Sequence, residues 1–209
     1  MGEDKRSQPA PAAGAPARSW RDGLPVLSAG GVTLRELRLE DAPALAAHLG
    51  TAEIARFLAP PPATVAGFEE FIVEAHRERI HGQAITYGVV PDGHDHVVGV
   101  FQLRSLEAGF GTAEWTCMLA SAYWGTGLFL ESARLVMAFA FDTVGILRLE
   151  ARAVTMDGRG NGALRKVGAV QEGVLRRSFK RNGQRYDQLL WAVLAEDWRL
   201  QKRDRPRVH

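Results

Sequence analysis

Hydrophobic and polar positions change period several times along this chain, and each change predicts an element. Val32-Thr33-Leu34-Arg35-Glu36-Leu37-Arg38-Leu39 alternates as a half-buried strand, with a change of parity between Leu34 and Leu37 that predicts a bulge. Asp41 offers an N-cap for a helix through Leu45 and Leu49, which Gly50 can end. The run Pro60 to Pro62 interrupts regular structure. Thr64 then opens a second helix with Phe68, Phe71, Ile72 and Ala75 on one face. Residues 84–90 and 96–104 flank Pro91-Asp92-Gly93-His94-Asp95 and predict a hairpin. A further strand, 112–119, leads into Tyr123-Trp124-Gly125-Thr126-Gly127-Leu128. Residues 128–141 are nearly all apolar, which predicts a helix covered on more than one side.

Residues 147–154 read as a strand after that helix, hence a crossover and a parallel pair. A short helix is expected over 162–167. Strands 169–179 and 185–194 are joined through Asn182-Gly183, a strong two-residue hairpin signal. Antiparallel strands, one helical crossover and a closing hairpin predict a mixed α+β fold, with about six or seven strands and about four helices.

Composition narrows the picture. The 209 residues fit one domain over 21–200; before it lies an Ala/Pro/Gly/Ser-rich tail, 1–20, read as disordered, and after it a basic tail, 201–209. With 46% hydrophobic and 24% charged residues, the chain reads as an ordinary globule. No stretch approaches the roughly 18 apolar residues of a membrane span. The N-terminus lacks the apolar core of a secretory signal. The single cysteine, Cys117, agrees with a reducing, cytoplasmic setting. A net charge of +2 gives no ground for expecting nucleic acid. Arg176, Arg177, Lys180, Arg181 and Arg185 do cluster, and read first as a solvated hairpin. An acidic partner or a cofactor phosphate is the alternative.

The glycine turn carries the chemistry. A glycine-rich turn that opens a helix aims several unpaired N–H groups at one spot, where the helix dipole favours negative charge. Glycines also let a bulky phosphate approach the backbone. A dinucleotide fingerprint would want a third glycine where Leu130 stands, and a P-loop would want Lys-Ser/Thr where Leu128-Phe129 stand. Both are rejected.

The remaining pattern resembles the GNAT N-acetyltransferase superfamily, and within it the ribosomal-protein N-terminal acetyltransferase branch. The resemblance covers roughly residues 24–198. It rests on Val32-Thr33-Leu34-Arg35 with Asp41-Ala42, on Ala113-Glu114-Trp115, and on Trp124-Gly125-Thr126-Gly127. It continues with Arg148-Leu149-Glu150-Ala151, Lys166-Val167-Gly168-Ala169, Glu172-Gly173-Val174-Leu175-Arg176, Asp187, Trp191 and Glu196-Asp197-Trp198. The order and spacing are specific; the single pieces are not. The resemblance implies a splayed sheet in which the strands near Leu119 and Leu147 part, with acetyl-CoA as cosubstrate in the gap. Met118, Leu119 and Ala120 would meet the pantetheine arm; Trp124, Gly125, Thr126, Gly127 and Leu128 would hold the diphosphate.

Acetyl transfer to an amine needs a neutral nucleophile, and a protein α-amine has a pKa of about 8. Glu114 matches the family's strand carboxylate and is the expected base, acting through one or two waters. The alternative is a structural or substrate-orienting carboxylate. Strand alternation puts Glu114, Thr116 and Met118 on one face and Trp115, Cys117 and Leu119 on the other. A backbone N–H near Met118 to Ala120 would meet the oxyanion. The resemblance usually brings Asn, two residues, then Ser; here Asp157 and Gly160 stand in those places. Asp157 lacks an amide donor, so Asn161 is expected to serve the pantetheine instead. Gly160 cannot protonate the leaving thiolate, which leaves Tyr123 and Tyr186 as candidate phenols.

Cys117 reads as a packed strand residue and not as a nucleophile. His94, Asp95 and His96 read as a solvated loop; no metal is expected. Phe139, Phe141 and Trp191 read as core. Three functions follow: direct acetylation of a protein N-terminal α-amine, acetylation of a small amine such as an antibiotic or polyamine, or a non-catalytic CoA-binding module. The acceptor would enter between the two N-terminal helices and the Asn182-Gly183 hairpin. The Trp191 strand edge and the terminal residues offer a surface for a homodimer.

Overall fold

The computed structural model describes residues 19–203, with side chains to residue 201. The expected tails, 1–20 and 201–209, fall largely outside the described residues. Trp20, inside the first of them, packs edge-on against Phe110 at 5.5 Å.

Eight strands form one sheet in the order β1-β2-β3-β4-β5-β6-β8-β7. They are β1 (Leu27–Ala29), β2 (Val32–Glu36), β3 (Ala84–Pro91), β4 (Gly99–Ser105), β5 (Thr112–Leu119), β6 (Arg148–Val154), β7 (Val170–Arg181) and β8 (Gln184–Leu194). Every neighbouring pair is antiparallel except β5–β6. The helices are α1 (Ala42–Leu49), α2 (Val65–Ile80), α3 (Leu128–Phe139), α4 (Gly158–Lys166) and α5 (Ala195–Arg203). The expected mixed α+β sheet is therefore present, enlarged by the three-residue β1 and the C-terminal α5.

One expectation fails at the first long strand. The parity change after Leu34 is the end of β2 at Glu36, and no bulge forms in its pairing with β3. Arg35 donates to both Asp41 carboxylate oxygens at 2.7 Å, and the Arg38 amide donates to Asp41 Oδ2 at 2.8 Å. The Asp41 carboxylate thus ties down the turn before α1, although Asp41 also occupies that helix's N-cap position. Thr64 caps α2 as expected, its hydroxyl accepting the Gly67 amide at 3.1 Å.

Two apolar clusters fill the faces of the sheet. Phe101, Trp115 and Leu119 share one with Leu128, Ala133, Val136 and Met137 of α3. Leu37, Val97 and Val100 share the other with Leu45 and Leu49 of α1 and Phe68 and Ile72 of α2. Met118 packs on this second cluster, so the alternation expected along β5 holds.

The sheet forks between β5 and β6. Their parallel pairing covers only Thr112–Glu114 against Arg148–Glu150. Beyond that, β5 stays with β4 as far as Leu119, while β6 follows β8 as far as Val154. Trp191 lies on β8 between β6 and β7, 2% exposed, and so is not at a sheet edge. The subunit surface expected there is corrected: β7 is the edge strand on that side.

Candidate active site

The fork opens a cleft of about 540 Å³. One wall is β5, with Trp115, Thr116, Cys117 and Leu119; the other is β6, with Ala151, Arg152 and Ala153. The glycine turn, with Tyr123, Trp124, Gly125 and Gly127, faces the start of α4, with Asp157, Gly158, Arg159 and Gly160. Ile54, Arg56, Phe57 and Leu58, from the segment between α1 and α2, also line it. No residue of 176–187 contributes lining. On this side the cleft is walled by α4 and β6.

The glycine turn has the shape its sequence requires. Gly125 and Gly127 take φ of 80° and 93°, a region that costs other residues about 1–2 kcal/mol. A β-carbon at either position would meet nothing within 4 Å, so the backbone lies open to the cleft. Gly127 is the N-cap of α3 and supplies no side-chain hydrogen bond to the first turn. The Leu128 amide reaches the Thr126 hydroxyl oxygen at 3.4 Å, and the other amides of this helix start are suited to a phosphate. Trp124 serves the turn structurally: its indole N–H donates to the Leu119 carbonyl at 2.8 Å, joining the end of β5 to the turn. The Thr126 hydroxyl donates to the Tyr123 carbonyl at 2.8 Å, and Leu128 faces the core, 6% exposed. Neither side chain lines the cleft.

Of the three residues expected beside the pantetheine, Leu119 lines the cleft. The Met118 side chain turns away into the second core. The Ala120 amide donates to the Val98 carbonyl at 2.9 Å, so it has no donor for a ligand or an oxyanion. The expected amide contact is corrected for Ala120.

Asn161 is corrected as well. It is 6% exposed, its amide nitrogen donates to the carbonyls of Val154 (2.9 Å) and Asp157 (2.8 Å), and its oxygen accepts the Trp191 indole N–H at 2.9 Å. Both amide protons are spent inside the protein, joining α4 to β6 and β8. Asp157 does line the cleft, but its carboxylate caps α4 by accepting the Gly160 amide at 2.9 Å. The cap starts α4 at Gly158, ahead of the 162–167 expected.

Glu114 lies at the crotch of the fork, paired in register with Glu150. It is half-buried and does not line the cleft itself. Its carboxylate stands 3.7 Å from Nε of Arg152, which does. Nearby, Arg148 bonds both Glu150 and Glu172, and its hydrogen bonds hold the Glu172 carboxyl below the usual range. Cys117 sits in the cleft wall, and burial pushes its thiol well above the ordinary range. A thiol held protonated is a poor acyl carrier. Tyr123 is the phenol in the cleft; Tyr186 donates to Gln184 Oε1 at 2.6 Å out on the hairpin. Arg56, Arg152 and Arg159 escaped sequence reasoning, because an arginine on a strand, a turn or a polar helix start carries no local signal of facing a cleft.

A forked sheet with a glycine turn at its mouth defines the acyltransferase class, and comparison with known proteins agrees. Residues 32–170 match the family model described as an acetyltransferase (GNAT) domain, and the chain belongs to that family. It is an N-acetyltransferase. It is 24% identical to the uncharacterized N-acetyltransferase p20 of Bacillus licheniformis over 168 residues, covering 80% of this chain and 94% of that protein. Its fold is similar to the ribosomal-protein-S5-alanine acetyltransferase of Vibrio fischeri (TM-score 0.74, 18% identity, 83% of this chain and 98% of that one). It is similar also to Mycobacterium smegmatis RimJ, solved with CoA-disulfide (TM-score 0.71, 23% identity, 79% and 83%).

Proposed function

We propose that this protein transfers the acetyl group of acetyl-CoA directly to the α-amine at a protein N-terminus. The observation that carries the reading is the fork: β5 and β6 separate after Glu114 and Glu150, and the cleft between them runs from the glycine turn to the Ile54–Leu58 segment. An unpaired strand edge offers amide partners to the pantetheine arm. The glycine turn and the start of α3 suit the diphosphate. Cofactor and acceptor then enter from different sides and meet near Cys117 and Thr116.

We favour direct transfer: Cys117 is the one thiol lining the cleft, and burial raises its pKa, which works against the thiolate an acyl carrier needs. Glu114 takes the amine proton through water at the crotch of the fork. Ile54, Phe57 and Leu58 give the acceptor an apolar seat beside the guanidinium of Arg56. Such a mixed wall suits a peptide end better than a polycation. The resemblance in fold to an S5-alanine acetyltransferase supports the same acceptor class.

Calorimetry with acetyl-CoA, CoA and NADH tests the cofactor, and mass spectrometry of acetylated peptides tests the acceptor. Binding of both CoA forms without NADH is expected, together with acetylation of free N-termini. A peptide whose N-terminus is blocked but which contains lysine should stay unmodified. Failure to bind CoA overturns the cofactor reading. Acetylation of small amines with no modification of any peptide overturns the acceptor reading.

A further inference from the structure

We propose that Arg159 is the guanidinium that closes over the cofactor diphosphate, held ready for it on the face of Trp124. The inference rests on the acetyl-CoA reading of the cleft. Arg159 is the second residue of α4 and stands across the cleft from the glycine turn. Its guanidinium carbon lies 3.5 Å from the Trp124 ring centroid, stacked on an indole that the Leu119 carbonyl holds in place. Among the described residues Arg159 makes this cation–π contact and no ion pair. Arg152, by contrast, faces Glu114 from the other wall.

Charge balance favours a cation at the turn, and of the cleft's basic residues Arg56, Arg152, Arg159 and Lys166 it is Arg159 that stacks on a residue of the turn itself. A diphosphate is a dianion at neutral pH, yet residues 123–128 contain no lysine or arginine, and the next basic residue along α3 is Arg134. Backbone amides and the helix dipole alone supply only about half an elementary charge. Trp124 immediately precedes Gly125, so the stacked guanidinium already sits one residue from the cradle. A planar fork can rest on an aromatic face and still grip two phosphate oxygens, which an ammonium cannot do. Charge-assisted bonds to phosphate then add to the cation–π contact, which the stacked guanidinium keeps.

The test compares wild type, Arg159→Ala and Arg159→Lys by calorimetry against CoA, dephospho-CoA and pantetheine. Arg159→Ala should weaken CoA and dephospho-CoA alike by about tenfold, or about 1.4 kcal/mol, and leave pantetheine unchanged. Arg159→Lys should recover only part of the loss. Arg159 is exposed, and unchanged thermal melts will show that the variants fold. Equal CoA affinity in Arg159→Ala overturns the proposal while leaving the cofactor reading standing. A loss confined to CoA would assign the arginine to the ribose phosphate and overturn it too, as would a loss that extends to pantetheine. Wild type that binds no CoA removes the cofactor reading itself.

Discussion

Asp157 and Gly160 form a coupled pair. The Asp157 carboxylate accepts the Gly160 amide, and the same carboxylate occupies the space where a β-carbon at residue 160 would stand. Gly160 has no positive φ, so space and not backbone conformation demands glycine here. In the Asp157→Ala background, Gly160→Ala should stabilise by about 0.8 kcal/mol, the ordinary gain of alanine in a helix. In the native background the same change evicts the carboxylate and loses a cap of about 1 kcal/mol, cancelling that gain. A urea double-mutant cycle should therefore read a coupling of about 1 kcal/mol. Equal effects in both backgrounds would sink the pairing. Serine at 160, present in the resembling motif, would have to displace the same carboxylate.

That pair also shows where sequence reasoning stops. The glycine turn, α3, the Asn182-Gly183 hairpin and the parallel β5–β6 step were legible because each has a local signature in period or turn chemistry. Asn161 was not. Its place beside Gly160, in a motif where Asp157 lacks an amide donor, suggested a ligand, yet a hydrogen bond to Trp191, distant in sequence, decides its role. The early start of α4 was masked by Gly158, Gly160 and Gly162, whose low helix propensity is overridden by the Asp157 cap. The β1 strand has three residues, too few for any period to show.

Asn161→Leu should cost about 1–3 kcal/mol, because it leaves the buried Trp191 indole N–H without its acceptor, while the Val154 and Asp157 carbonyls each lose one of two donors and keep a backbone amide. Thermal or urea unfolding will read the loss. A variant as stable as wild type would mean that water replaces the amide, and that Asn161 is free to serve a ligand after all.

Acid should act on stability in two separate ranges. His48 stacks on His96 at 5.5 Å; burial first, and then His96, hold its pKa below the usual 6.5. The unfolded chain therefore binds a proton that the folded one resists. Stability falls as pH drops below about 6.5, down to the folded pKa. Glu172, depressed by its hydrogen bond to Arg148, acts lower: its contribution is present above the usual 4.5 and is lost as pH falls through its folded value. His48→Gln should flatten the upper range alone, and Glu172→Gln the lower. Unchanged pH profiles of the melting temperature would contradict both assignments.

Gly125→Glu should fold, since nothing lies within 4 Å of the new side chain's first carbon, at a strain cost of about 1–2 kcal/mol for positive φ. Its carboxylate would stand where the diphosphate is proposed to lie, so acetyl-CoA binding should vanish in calorimetry. Native affinity in this variant would remove the glycine turn from the cofactor site.

Glu114 is the residue whose role the fork leaves most sharply posed. It lies at the crotch, beside the cleft and within 3.7 Å of Arg152, so its carboxylate could accept a proton through water or anchor that arginine. The two roles part with pH. An acceptor α-amine with a pKa of about 8 is mostly protonated at pH 7 and mostly free at pH 9. If Glu114 is the base, Glu114→Gln should lower kcat/KM by about 10²–10⁴ at pH 7, and the deficit should shrink as the amine deprotonates itself. Acetyl-CoA affinity should stay native throughout. If Glu114 instead holds Arg152, the loss should be the same at every pH, and Arg152→Ala should reproduce it. Steady-state rates of both variants from pH 6.5 to 9.5 distinguish the outcomes, and a pH-independent deficit would end the general-base assignment.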